Sequence, residues 1–450
     1  MANDETSSIF DTIIPLFSIV GVALLSFLGG AAVVHFEAYP YPQLLEPSFT
    51  AAKAHFKKAA ANIDADPAAS RYWVEPRTDA KGVTTHDPKR AFDGYTLYVS
   101  KHKQGAYLVD MEGNQVHKWE KKFSEIWPLA PHIGSPVDDS AIGWRDVRAF
   151  PNGDLLVNFT AAGSDTPYGY GLAKLNKDSE VVWQFDGTDH HDITIARDGT
   201  IWTLTHEFRN FGARGGVDLP TRFEKTSLLA DDAVHLSSDG KVLEKIPLTE
   251  AVARFLGKTR LDSWHKAATW DVLHTNNIEP IHRDFAEHHD FAEPGQLLLS
   301  FRSLDAIGLL DVEKQKMVWM KRGFWKKQHD PDPLPNGNML VFDNRGYRGP
   351  GGATRVAEFD PATGEIVWAY TGTKENPFYS KKRGQQQPLP NGNLLITENQ
   401  FGRAFEVTRD KEIVWEFYNP VRKKDKGKQW VPMFGGITPR YSTEELTFVD

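Results

Sequence analysis

Histidine and arginine recur at one position of a repeated hairpin. The hairpin turns on Asn152-Gly153, Asp198-Gly199, Asn336-Gly337 and Asn391-Gly392. Seven residues before the Asn or Asp stand Arg145, His191 and His329; the last copy has Gly384 there, with Gln385 adjacent. Seven residues after the glycine stand Thr160, His206, Asn344 and Asn399, and counting from Gly295 gives Arg302. The copy ending at Gly295 has a longer excursion over residues 280–295, and by analogy His274 takes its leading position. Equal distances from a turn bring residues opposite each other at the open end of the hairpin. With the first strand innermost, Arg145, His191, His274, His329 and Gln385 rim one mouth of a channel, backed by His206, Arg302, Asn344 and Asn399.

Three imidazoles and a guanidinium suit a tetrahedral oxyanion such as sulfate or phosphate, which charge-assisted donors grip well. A neutral histidine can attack such a centre. Arg302 and the remaining histidines would then stabilise charge on the equatorial oxygens. The pattern predicts sulfuryl or phosphoryl transfer through a covalent histidine adduct. A His₃ zinc site is the alternative, but an arginine beside a dication is electrostatically unfavourable and no carboxylate joins the ring. We therefore expect no metal and no cofactor. His102, His117, His132, His235, His265, His282, His288 and His289 read as surface residues. Strand alternation turns His190 away from the face of His191.

The elements that must position these groups are announced by a second repeat. Six times, a polar turn is followed by a short strand closing on Trp119, Trp183, Leu243, Trp319, Trp368 or Trp415. Self-similar all-β units cannot bury their faces singly, so they stack or close. Six units closing on an axis make a six-bladed β-propeller, here over residues 91–420. Residues 421–450 form a C-terminal tail that packs on the ring or completes it through Trp430-Val-Pro-Met-Phe; in the alternative, residues 92–100 add a strand to the last blade. Residues 207–230 and 249–270 read as insertions. Their Phe208, Phe211, Trp264 and Trp270 either pack or line an aromatic acceptor pocket.

Ahead of the propeller, residues 1–12 are a short tail. Ile13 to Val34 then runs 22 residues without a charge, long enough as a helix for a hydrocarbon core of about 30 Å. No basic residue precedes it, and the apolar run is too long for a cleaved signal, so a retained single-pass anchor is expected. Residues 35–90 are a linker in which Ser48 caps an amphipathic helix striped by Phe49, Ala52, Phe56, Ala59 and Ile63. That helix packs on the propeller, on headgroups or on a partner membrane protein. Lys53, Lys57 and Lys58 follow the span at the limit where charge sets orientation, and point weakly to a cytoplasmic propeller. The chain has 450 residues, net charge −8 and no cysteine. Its acidic balance without a basic run excludes nucleic acid as a partner, and the lack of thiols excludes disulfides and thiolate chemistry.

Over roughly residues 92 to 420 the sequence resembles the arylsulfate sulfotransferase (ASST) family. The resemblance rests on Gly94-Tyr-Thr-Leu-Tyr, Leu108-Val-Asp-Met-Glu-Gly-Asn, His190-His-Asp192, His274-Thr-Asn-Asn-Ile and Ser300-Phe-Arg302. Most specific is Gln328-His-Asp330 followed by Leu340-Val-Phe-Asp-Asn344 and the glycine-rich run to Gly352. It implies a six-bladed propeller moving a sulfuryl group from an aryl sulfate to a phenol through a sulfohistidine, without a nucleotide donor. Carried over by motif, His329 would be the nucleophile, with His274, Arg302 and His191 as sulfuryl-binding and acid/base partners. Asn344, His206, Arg145 and Gln385 would contact substrate. The resemblance also favours a periplasmic location. Two rival readings stand beside it: a non-catalytic propeller subunit of a membrane complex, and a metal-dependent hydrolase on the same scaffold.

Overall fold

The computed structural model describes residues 24–29, 70, 72–161, 167–211, 219–220, 227–265 and 270–449. Within the expected span only residues 24–29 are described, as helix, and the linker helix from Ser48 lies outside the described residues. No described helix is long and apolar enough to cross a membrane.

The protein is all-β and propeller-like. Six antiparallel sheets follow one another along the chain, with a separate three-stranded sheet of Trp73–Val74, Lys423–Asp425 and Lys428–Pro432. The second sheet runs Gly143–Ala149, Leu155–Thr160, Gly169–Leu175, Val181–Phe185, and the third Asp189–Ile195, Ile201–Asn210, Ser227–Leu236, Val242–Pro247. The fourth is Thr275–Pro280, Leu297–Phe301, Ala306–Asp311, Lys316–Arg322, and the fifth His329–Pro333, Met339–Asp343, Arg355–Phe359, Ile366–Thr371.

The two remaining sheets are completed by segments distant in sequence. In the first, Arg440–Tyr441 pairs with Tyr95–Val99, which is followed by Gly105–Val109 and Gln115–Glu120. In the sixth, Gly82–His86 adds a fifth strand to Gln385–Pro388, Leu394–Glu398, Arg403–Val407 and Ile413–Tyr418. The expected C-terminal tail does complete a sheet, but through Arg440–Tyr441 rather than through Trp430-Val-Pro-Met-Phe. The Trp430 segment belongs to the three-stranded sheet, and residues 95–99 belong to the first sheet rather than the last. Arg440 N–H donates to Gln387 Oε1 at 2.7 Å and Gln387 Nε2 donates back to Arg440 O at 2.9 Å, tying the sixth sheet to the first.

Alternation along the strands sends apolar side chains into the spaces between sheets, so each neighbouring pair shares one buried cluster. Leu97 and Val157 meet between the first and second sheets, and Leu156 and Ile193 between the second and third. Leu204 packs with Leu299, Leu309 with Val341, Leu340 with Phe405, and Leu395 with Tyr107. Four of the five repeated tryptophans stitch one sheet to the next. Trp119 Nε1 donates to Gly153 O at 3.0 Å, Trp183 Nε1 to Ser238 O at 3.2 Å, Trp368 Nε1 to Arg409 O at 2.7 Å and Trp415 Nε1 to Met111 O at 3.0 Å. The last bond joins the sixth sheet to the first. The Asn/Asp-Gly turns do require glycine: Gly153 has φ +84°, and a Cβ there would sit 2.8 Å from Lys177 and Phe448.

Candidate active site

The leading strands of the second to fifth sheets interrupt their pairing at one level. Register shifts fall between Trp144 and Val147, His190 and Ile193, Thr275 and Ile278, and His329 and Asp332. His191 at φ +67° and His274 at φ +50° adopt the left-handed conformation, uncommon for residues with a Cβ. Such β-bulges re-aim side chains next to functional sites.

The bulges overturn two expectations from simple alternation. In two hairpins the partners are not directly opposite: Asp189 pairs with Thr205 and His329 with Phe342, so His206 and Asn344 lie beyond the residues facing the leading histidines, whereas Thr275 pairs with Phe301, so Arg302 does face His274. His190 is not turned away either. Its Nδ1 lies 2.7 Å from His191 Nδ1, because the unpaired residue puts both imidazoles into one cluster.

At the centre, the rings of His191 and His274 lie 4.9 Å apart, and those of His190 and His206 stack at 4.5 Å. Tyr168 sets its ring edge-on to His191, His206 and His274 at 5.5, 5.7 and 4.9 Å. One carboxylate oxygen of Asp271 takes the Tyr168 hydroxyl at 2.9 Å and His274 Nδ1 at 2.5 Å. Burial would raise the Asp271 pKa, but His274 and Tyr168 outweigh it and hold the group below its ordinary value. Burial, with Asp271 close by, pushes the Tyr168 hydroxyl up.

His329 heads the innermost strand of the fifth sheet. Its Nδ1 faces two acceptors, Asn344 Oδ1 at 2.7 Å and Lys327 O at 3.1 Å. Asn344 cannot present its other end, because its Nδ2 donates to Ser380 O at 2.8 Å and Arg383 O at 2.5 Å. The proton of neutral His329 therefore belongs on Nδ1, and Nε2 carries the lone pair. Burial drives the His329 pKa well below its ordinary value, and Arg302, Arg145 and His274 push the same way. His191 is depressed for the same first reason, helped by Arg145, His190, His274 and His329. Direct contacts join His191 to His274 and tie Arg145 and Arg302 to them through the backbone, with His329 close enough to act on His191. Arg145 Nε donates to His191 O at 3.3 Å, and burial, with Arg383 nearby, lowers its pKa to about 9. Arg302 follows Phe301, its N–H donating to His274 O at 3.3 Å; burial lowers its pKa against the pull of Tyr168 and Asp271.

The structure thus brings His191, His274, His329, Arg302, Arg145, His206 and Asn344 together. Gln385 begins the corresponding strand of the sixth sheet, paired with Thr397. Its neighbour Gln386 turns inward instead, donating from Nε2 to Asp332 at 2.7 Å. Tyr168, Asp231 and Asp271 were not singled out in the sequence. Asp271 lies three residues before His274, a signal outside the hairpin register, whereas Tyr168 stands in the loop after Thr160 with no motif of its own. Among the histidines assigned to the surface, His265 is fully buried, and His102 is sunk enough for burial to lower its pKa to about 4. Of the inserted aromatics, Phe211 is core and Trp264 packs at its edge, while half-exposed Phe208 meets Trp270 at 5.5 Å.

The scaffold is all-β and propeller-like, and its leading strands bring imidazoles close to the guanidinium groups of Arg145 and Arg302. The family model described as arylsulfotransferase (ASST) matches residues 146–420. The chain belongs to the arylsulfotransferase family. No curated protein matches it in sequence. Among solved structures, it is similar to a protein of unknown function from Bacteroides caccae at 12% identity, with a TM-score of 0.45 over 76% of this chain and 99% of that one. A streptogramin B lyase is similar at 14% identity and TM-score 0.39 over 80% and 94%, and the WD40 propeller domain of Doa1 at 11% and 0.38 over 80% and 95%.

Proposed function

We propose that the protein moves a sulfuryl group from an aryl sulfate to a phenol through a sulfohistidine at His329. The supporting observation is the pair of acceptors at His329 Nδ1, which leaves Nε2 as a lone pair in a pocket that keeps the ring neutral. Nε2 attacks sulfur as the bond from sulfur to the aryl oxygen breaks, and the departing phenolate takes a proton from the outer nitrogen of His274. The Nδ1 proton stays in place, so the positive ring of the adduct is met by Asn344 Oδ1 and Lys327 O. An incoming phenol then returns its proton to His274 and attacks sulfur, and the nitrogen–sulfur bond breaks. Arg302 and His191 stabilise the sulfuryl oxygens during both transfers, with Arg145, His206 and Gln385 framing the pocket. Phe208 and Trp270 offer the aryl rings an apolar face.

In this reading the six sheets are the blades of a six-bladed propeller, with no cofactor. The Ile13–Val34 stretch anchors it outside the cytoplasm as a single-pass membrane protein, where a membrane-protein partner could dock on the linker. The test is incubation with 4-nitrophenyl sulfate and mass analysis of the His329 peptide. A sulfuryl adduct in the wild type that disappears in His329→Asn is the expected result. No adduct, with stable partners co-purifying, would support the non-catalytic subunit.

A further inference from the structure

His190 ends in a second cluster that the transfer chemistry does not use. One ring nitrogen of His190, one of His206 and one carboxylate oxygen of Asp231 all lie within 4.8 Å of one another. The three residues are 2%, 1% and 1% exposed. His190 Nε2 stands 3.8 Å from Asp231 Oδ1, outside hydrogen-bonding range. The other carboxylate oxygen accepts from the Thr275 backbone N–H at 2.8 Å, which fixes the direction in which Oδ1 points. We propose that His190, His206 and Asp231 bind one first-row dication of the zinc class beside the transfer site.

Two features carry this. Two imidazoles and one carboxylate are a ligand set that suits zinc and its neighbours, leaving a fourth position open. Burying a carboxylate without a cation is costly, and among the described residues no Lys or Arg forms a salt bridge with Asp231. Donors around a tetrahedral zinc stand about 3.3 Å apart, so metal entry draws the three side chains closer than their present limit.

The consequence reaches the transfer site, and this step rests on the function proposed above. Ligation through His190 Nε2 leaves its proton on Nδ1, which then donates to His191 Nδ1 at 2.7 Å. His191 must then carry its own proton on Nε2, as a donor. The metal would set which end of His191 donates, as outer-shell bonds do around metal-bound histidines.

The experiment uses the full chain without a histidine tag, stripped with a chelator and dialysed against Zn²⁺ or Co²⁺. One equivalent of zinc and visible Co²⁺ absorption are expected. Changing an outer-shell partner alone costs roughly 10- to 100-fold in metal affinity. Asp231→Asn, which keeps an oxygen for the Thr275 N–H, and His206→Gln should therefore each weaken binding at least about tenfold. Circular dichroism checks that each variant folds, and if one does not, the other decides. No uptake by the wild type, or uptake unchanged in the folded variants, overturns the site. The same samples separate the two ideas: a His329 adduct on the metal-free chain leaves sulfuryl transfer standing alone, and stoichiometric metal without an adduct leaves only the metal site.

Discussion

The same leading strands carry two opposite chemistries a few residues apart. At their heads stand Arg145, His191, His274 and His329, with the imidazoles of His191 and His329 kept neutral beside guanidinium groups. Further along the same strands come Asp146, Asp192, Glu279, Asp330 and Asp332, with Arg148 bonded to Asp146 at 2.9 Å and to Asp192 at 3.3 Å. Burial raises the pKa of Asp192 to about 6, Asp332 to about 7 and Glu279 to about 8, with neighbouring carboxylates adding to each. Burial suppresses charge at both levels, in bases at the mouth and in acids of the belt beyond. The difference teaches that one physical cause acts on opposite groups a few residues apart; on the function proposed above, the sulfate ester binds at the histidines.

The comparison breaks most simply at its mouth. His329→Asn keeps a polar group of similar reach but removes the nucleophile, and sulfuryl transfer should fall by at least about 10³-fold. Release of 4-nitrophenol in the presence of a phenol measures it, and a smaller loss would mean that another histidine accepts the group. Arg302→Gln removes one charge from the developing sulfuryl oxygens, with an expected fall of roughly 10²- to 10³-fold in kcat. A change in KM alone would assign Arg302 to ground-state binding.

How much of this was legible beforehand differs between the two regions. The repeated Trp phrases and glycine turns marked the sheets, because alternation and positive φ are local properties. The histidine register was readable for the same reason. The bulges were not: nothing in His190-His-Asp192 announces the shift, so alternation put His190 on the wrong side. Asp271 and Tyr168 came from loops, where spacing carries no positional rule. The tail's part in completing the first sheet was expected, but not the strands involved, since Arg440 and Gly82 reach their sheets across most of the chain. The acidic belt was hidden by its own bulges, which bring residues such as His329, Asp330 and Asp332 to different faces of one strand.

Asn344→Leu sharpens the reading of the mouth. The substitution removes the acceptor that holds the His329 proton on Nδ1, leaving only Lys327 O to do so. A fall of roughly 10- to 100-fold in kcat/KM is expected. The nucleophile should still be neutral in mild acid, since the His329 pKa lies well below 6.5. The donor half-reaction of the wild type should therefore keep its kcat/KM down to about pH 5. An acid limb centred near the ordinary histidine value would show the ring to be far more solvated than its burial implies.

The smallest effect sets belt against mouth in stability alone. His191 and His329 are depressed in the fold, so the stability they contribute is present above their unfolded pKa and is lost as pH falls through it toward the folded value. Glu279 works in the other direction. Its pKa rises from 4.5 to about 8, so its contribution is present below the unfolded value and is lost as pH rises through that window. Above it, the fold must hold an ionised carboxylate beside Asp332 and Asp192. Glu279→Gln can still accept from the Thr194 hydroxyl, which lies 3.2 Å from Oε2, and never ionises. The variant should melt about 2 °C or more above the wild type at about pH 9, and close to it at about pH 5. An equal shift at both pH values would assign the effect to packing; a lower Tm at the higher pH would mean that the ionised carboxylate is stabilised in place.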